Sequence, residues 1–389
     1  MAMVESRGES VLAAAPAVAP MAPASTRGWL FHPLVDVFCL GGGSLLLLLP
    51  LLLVPATPDM RRDFAFWTLL AANLINHPHF AHSYQIFYSG FHGKAFGETF
   101  EPDLRRRYVF AGIVVPALLL CYLLATIASG SATALGYAGN AMAFLVGWHY
   151  VKQGYGMAML DAVLKRRFFT PVEKKVLLWN GYACWLLSWL LANRIVSQTD
   201  YWGLAYYSFA TPDWLIGLAM AAAVGATVVF LAMVLRKGQS AGWRLPWNGL
   251  LAYAVSLYLW LIVVRISPLL LFCVPAFHSL QYLVVVWRYQ LNRTNAAPDA
   301  ATRPGRLLPS VGSLRLAVFL GLGILLGWLG FWGLPAWLNG AIAYDRAALG
   351  PTVFLFVFWI FINIHHYFLD NVMWRRENPE TRRFLFGTQ

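Results

Sequence analysis

Of the nine histidines in this 389-residue chain, seven fall inside long apolar stretches. His77, His79 and His82 lie in NHPHFAHSYQIFY, His149 in WHYVKQGYG, His278 in FHSLQYLVVVWRY, and His365 and His366 in NIHHYFLDNVMWR. Imidazole is a common ligand for Fe, Zn, Cu and Ni. Each stretch also places an amide or carboxylate about one helical turn after a histidine: Gln85 after His82, Gln153 after His149, Gln281 after His278, and Asp370 after His366. Residues three or four apart share a helix face. A metal-bound imidazole needs its second nitrogen held by an outer acceptor, and Tyr84, Tyr150, Tyr282 and Tyr367 lie close by as well. The expected ligands are therefore His79, His82, His149, His278 and His366. His77 and His365 rank behind them, because each sits about 100° or more around its helix from the favoured face. Gln85, Gln153, Gln281, Tyr84, Tyr150 and Tyr282 are the expected orienting groups. Asp370 is the one carboxylate in the layer, and Tyr367 is placed to handle protons.

Composition dictates what must position these groups. The chain is 59% hydrophobic and 12% charged, with mean hydropathy +0.59, whereas soluble domains carry about a quarter charged residues. That excludes a disordered chain, a soluble nucleotide-binding enzyme and a disulfide scaffold. It points to an all-α, polytopic integral membrane protein. Cys39, Cys121, Cys184 and Cys273 fall in apolar segments without CxxC spacing and read as small hydrophobes. The net charge of +12 comes from short loops rather than a basic face with stacking aromatics, so no nucleic-acid partner is expected.

A bilayer-crossing helix needs about 20 apolar residues, and that window predicts about ten spans: roughly 34–54, 66–89, 108–129, 135–156, 174–194, 213–235, 247–266, 268–288, 315–337 and 351–372. Thr170-Pro-Val-Glu173 has capping-box spacing, and Thr211-Pro212-Asp213 offers a cap, a proline and an acid. Of the 29 Lys and Arg residues, 24 fall on one side of this alternation and 5 on the other. The basic side is cytoplasmic, which puts both termini inside. Residues 1–28 form an Ala/Pro-rich cytoplasmic tail expected to be disordered. A transmembrane domain over 29–376 and a cytoplasmic tail over 377–389 follow. Residue usage rich in Ala, Gly, Leu and Arg points to a bacterial inner membrane.

All seven intramembrane histidines fall on even-numbered spans, which run from outside to inside. At 1.5 Å per residue they lie about 15–24 Å into a core roughly 30 Å thick. One histidine in a membrane helix usually bonds a neighbouring helix, worth about 1 kcal/mol. Seven in one layer on four helices point instead to a functional centre. Pro78 and Pro275 beside them are expected to bend their helices. The Gly41-Gly42-Gly43 run and Gly323-xxx-Gly327 read as close-packing sites. Asp36 either pairs with a histidine or faces the interface.

The arrangement resembles the bacterial membrane carotene dioxygenases, whose iron is held by histidines on several transmembrane helices and which cleave an isoprenoid oxidatively. In that resemblance His82, His149, His278 and His366 are the matching positions. His79-xx-His82 and His365-His366 are similar to fragments of the histidine boxes of membrane di-iron desaturases and hydroxylases. These resemblances imply a metal-dependent oxidoreductase, with non-haem iron as cofactor, acting on a lipid or isoprenoid. Its partners would be membrane lipid, an apolar small-molecule substrate and a separate electron donor. Two other classes fit the same residues: a protein with b-type haem between paired histidines, and a transporter or metal importer whose intramembrane ionisable groups mark an ion path.

Overall fold

A computed structural model describes residues 28–54, 57–195, 200–201, 204–205, 208–263, 268–296 and 311–386. Residues 1–27 of the expected tail over 1–28 lie outside them, as do residues 297–310 and 387–389. Helix lies within each of the ten predicted stretches. In chain order the helices are α1 (Pro33–Leu53), α2 (Pro58–Ala72), α3 (Asn76–Tyr88), α4 (Pro102–Ala128), α5 (Ala132–Leu164) and α6 (Pro171–Ile195). They continue as α7 (Asp213–Ser240), α8 (Trp247–Ala254, extended by Val255–Leu259), α9 (Pro268–Asn295), α10 (Gly312–Ala341) and α11 (Val353–Met373). A two-residue antiparallel pairing joins Asp200–Tyr201 to Leu204–Ala205.

Among the described residues five helices, α1, α4, α7, α10 and α11, are long and apolar enough to cross a membrane. The second predicted stretch is not one helix but two. Asn73 explains the break, since its side-chain amide donates to the Leu69 and Leu70 carbonyls while its oxygen accepts from Trp332 Nε1 at 2.8 Å. Helix α3 then restarts at Asn76, which puts Pro78 in its first turn. The break over residues 73–75 lies where the Pro78 ring would meet the Leu74 carbonyl four residues earlier and has no N–H to offer it. Pro275 does lie inside α9.

Local chemistry sets other helix starts. Thr170 and Glu173 form the reciprocal capping box: the Thr170 N–H donates to Glu173 Oε2 at 2.7 Å, and the Glu173 N–H to Thr170 Oγ1 at 3.2 Å. The expected Thr211 cap does not form. Pro212 occupies the cap position, and the Thr211 hydroxyl donates instead to the Phe209 carbonyl. Asp36 neither meets a histidine nor faces the interface. It is buried, and its carboxylate accepts the Leu30 and Phe31 N–H groups at 2.5 and 3.1 Å. Cys184 is buried, whereas Cys121 faces outward, and all four thiols are free.

Where water is absent, helices associate through close packing, and small residues permit it. At Gly41 a Cβ would stand 3.2 Å from the Cα of Ala252 in α8. Gly323 and Gly327 of α10 press on α3: a Cβ at Gly323 would run into the His82 imidazole, and one at Gly327 would meet the His77 backbone at 2.9 Å. These contacts seat α10 against the outer face of α3. Helices α9, α11 and α5 bring their histidines together on its inner face.

Candidate metal centre

Four imidazoles from four helices meet in the interior: His79 of α3, His149 of α5, His278 of α9 and His366 of α11. All four are buried. Their ring centres are 4.7 Å apart for His79 and His366, 5.0 Å for His149 with both His278 and His366, and 5.4 Å for His79 and His278. Asp370, one turn beyond His366, completes the group. Its Oδ2 lies 3.3 Å from His366 Nε2 and 3.8 Å from His149 Nε2. Two donor sets have ligand atoms within 4.8 Å of one another: His79, His278 and His366, and His149, His366 and Asp370.

Several of these ring nitrogens make no hydrogen bond, although two of them lie near Asp370 Oδ2. Among the described residues His79 Nε2, His149 Nε2, His278 Nδ1 and both nitrogens of His366 are buried without a hydrogen bond. An unsatisfied buried polar atom costs about 1–3 kcal/mol. Five of them approach the whole net stability of a typical domain, about 5–15 kcal/mol. A layer serving only to pack helices would not carry that burden. A metal ion would engage one nitrogen from each of these imidazoles, so the donor set fits metal.

Neighbouring groups fix how the donors point. His79 Nδ1 lies 2.6 Å from the Asn76 carbonyl. A carbonyl can only accept, so the ring proton sits on Nδ1 and the Nε2 lone pair faces the cluster. Ser279 Oγ stands 3.0 Å from the same nitrogen and donates to Asn76 Oδ1 at 2.8 Å. Asp370 Oδ1 accepts from the Tyr282 hydroxyl at 3.0 Å and from Trp374 Nε1 at 3.2 Å. Ser83 Oγ lies 2.7 Å from the Tyr282 oxygen. Carboxylate–imidazole centres hold their outer partners in this way. Aromatic rings wall off the rest: Tyr367 stacks on His149 at 4.4 Å, Tyr150 lies 4.6 Å from His278, and Phe80 lies 5.1 Å from His366.

Three expected ligands stand elsewhere. His82 stacks on Phe319 at 4.4 Å, on the α10 side of α3. His77 stacks on Phe331 at 3.9 Å. His365 is fully engaged: its Nε2–H donates to the Ala111 carbonyl at 2.9 Å, and its Nδ1 accepts from the Tyr84 hydroxyl at 2.6 Å. For His365 the cause is the helical period, which turns it about 100° from His366. His82 is only about 60° round from His79, and it packs instead against Gly323 and Phe319 of α10.

The amides also act differently from expectation. Gln153 Nε2 donates to the His278 carbonyl at 3.0 Å and to Gln281 Oε1 at 2.8 Å, and Gln281 Nε2 donates to the Leu40 carbonyl at 2.6 Å. The pair ties α5, α9 and α1 together by backbone rather than orienting imidazoles. Gln85 lies 3.4 Å from His82 Nδ1, and in its satisfied orientation it bridges the Phe319 carbonyl and the Gly323 N–H of α10. Tyr84 serves His365. The Tyr367 hydroxyl donates to Asn363 Oδ1 at 2.8 Å, one turn back along α11, so its ring rather than its hydroxyl meets the cluster. Tyr282 is the hydroxyl on the carboxylate. Asn76, Ser279, Ser83 and Trp374 went unpredicted. Asn76 and Trp374 stand three residues before His79 and four after Asp370, so the one-turn spacing rule applied in both directions finds them.

The class defined by this fold and site is a helical membrane protein with a buried cluster of imidazole and carboxylate groups able to hold metal. Comparison with protein-family models, with curated proteins and with solved structures finds no match for the chain.

Proposed function

We propose that this chain is a ten-span membrane protein with both termini in the cytoplasm of a bacterial cell, and that its histidine–aspartate cluster is a non-haem iron centre acting oxidatively on a lipid or isoprenoid. The observation that carries this is the convergence of five buried, unpaired imidazole nitrogens and a held carboxylate in one layer. Imidazole and carboxylate without thiolate suit non-haem iron. The imidazoles pack edge to face within 4.7–5.4 Å of one another, which favours a bare ion over a porphyrin between two of them. A centre enclosed by membrane helices selects substrates that reach it through the bilayer.

When bound, iron would supply the activation of dioxygen, with electrons from a separate donor protein or a quinol. His79, His149, His278, His366 and Asp370 would hold it. Asn76 keeps the His79 proton on Nδ1. Tyr282 and Trp374 hold Asp370 Oδ1 so that Oδ2 faces the imidazoles. Tyr150, Phe80 and Tyr367 exclude water from the donor atoms, which strengthens every electrostatic interaction among them.

Detergent-purified protein, assayed for metal and by visible absorption, tests the reading. Retained iron without a Soret band, and oxygen uptake on addition of an isoprenoid or unsaturated lipid with a reductant, is the expected result. A Soret band would replace it with the haem reading. Metal movement across vesicles without oxygen uptake would replace it with transport.

A further inference from the structure

The two donor sets share one residue. His366 belongs with His79 and His278 on one side and with His149 and Asp370 on the other. It also stands apart from the other three imidazoles in its hydrogen bonding. Both of its ring nitrogens are buried without a partner, whereas each of the other three leaves one nitrogen so. A ligating imidazole normally secures its second nitrogen on a carbonyl, carboxylate or water, as His79 does on Asn76. The polar atom nearest His366 Nε2 in its ion pair is Asp370 Oδ2 at 3.3 Å, and that oxygen is itself a metal donor. Asp370 Oδ1 is already taken by Tyr282 and Trp374.

We propose that His366 is a bridging imidazolate joining two metal ions, one held by His79 and His278 and the other by His149 and Asp370. The proposal rests on the metal-centre reading above and adds the number of ions and the link between them. Each ion receives three protein ligands and keeps open positions, the pattern of catalytic rather than structural sites. The two sets differ in kind. His149, His366 and Asp370 form a two-histidine, one-carboxylate set, the donor set of non-haem Fe(II) oxygenases, while His79, His278 and His366 are all imidazole. A single ion can bind only one nitrogen of His366, and it leaves the other buried and unpaired. With two ions both nitrogens are satisfied. On loading, the His366 ring gives up its remaining N–H proton to bulk solvent, and the two cations stabilise the anion that forms.

The test loads the purified full-length protein with Cu(II), removes weakly held metal with a mild chelator, and counts both copper and electron spins. Wild type should retain two coppers per chain, with an electron paramagnetic resonance signal well below that expected for two independent spins, because the bridge couples them. His278→Ala and Asp370→Asn each disable one set, so each should retain one copper, with a full single-spin signal. One copper per chain in wild type, lost alike from both variants, would overturn the bridge and leave a one-ion centre standing. Two coppers with a full two-spin signal would also overturn it. No retained copper would remove the metal-centre reading itself.

Discussion

The Tyr282 hydroxyl donates to Asp370 Oδ1 at 3.0 Å, across the interface between α9 and α11. That single bond decides which carboxylate oxygen is left for the imidazoles, since Trp374 shares Oδ1 while Oδ2 is the atom nearest His366 and His149.

Tyr282→Phe keeps the ring and deletes the hydroxyl. Loss of such outer partners weakens metal binding about 10–100-fold. Competition with a chelator of known affinity should show that drop, with helical content unchanged by circular dichroism. Equal affinity in the variant would mean that Asp370 is not held for metal by Tyr282.

Two adjacent histidines should separate cleanly. His365→Ala leaves the Tyr84 hydroxyl and the Ala111 carbonyl without their partner, at a cost of about 1–3 kcal/mol, so thermal unfolding in detergent should come earlier while bound metal is retained. His149→Ala should do the reverse on metal, because it removes a donor. If His365→Ala loses the metal as well, the assignment of His365 to helix packing fails.

Much of this was legible in the sequence, and the limits have physical causes. The layer of histidines on four helices follows from residue counting alone, and of its seven members the fold brings His79, His149, His278 and His366 together. Which of His79 and His82 faces inward did not follow, because it depends on where α3 restarts after Asn73 and on what packs behind it. Here Gly323 admits the His82 ring against α10. Gln153 and Gln281 have the spacing of orienting groups, yet they bond backbone carbonyls on other helices, a choice set by interhelical distance that no spacing encodes. Spacing alone groups Tyr282 with His278 on its own helix. Its actual partner, Asp370, lies 88 residues away.

Gly323→Val tests the seat of α10. Its side chain would overlap the His82 imidazole, and overpacking of this kind costs about 1–3 kcal/mol. Gly225→Val in α7 is the control, since nothing lies within 4 Å of its added Cβ. Comparable melting curves for the two variants would contradict the packing account.

A pH dependence is expected at the buried Lys94–Glu380 pair. Lys94 is 4% exposed, with its Nζ 2.8 Å from Glu380 Oε2. Burial pushes Lys94 below the ordinary lysine range, and Glu380 pulls it partly back. Glu380→Gln removes that pull and leaves a buried unpaired charge, a loss of about 3 kcal/mol. The folded variant then binds fewer protons than its unfolded chain between the lowered value and about 10.4, so its stability rises with pH across that window and more steeply than wild type. Denaturation from pH 7 to pH 10 should show the gap narrowing. A constant gap would place the effect elsewhere than on Lys94.

X-ray absorption at the metal edge of the purified protein is the most direct test of the central claim. The predicted spectrum has a nitrogen/oxygen shell at about 2.0–2.2 Å, the outer scattering of several imidazole rings and no sulfur. In His278→Ala and Asp370→Asn, metal content or the imidazole scattering should fall. A sulfur shell, metal without imidazole scattering, or protein that holds no metal in stoichiometric amount would contradict the account.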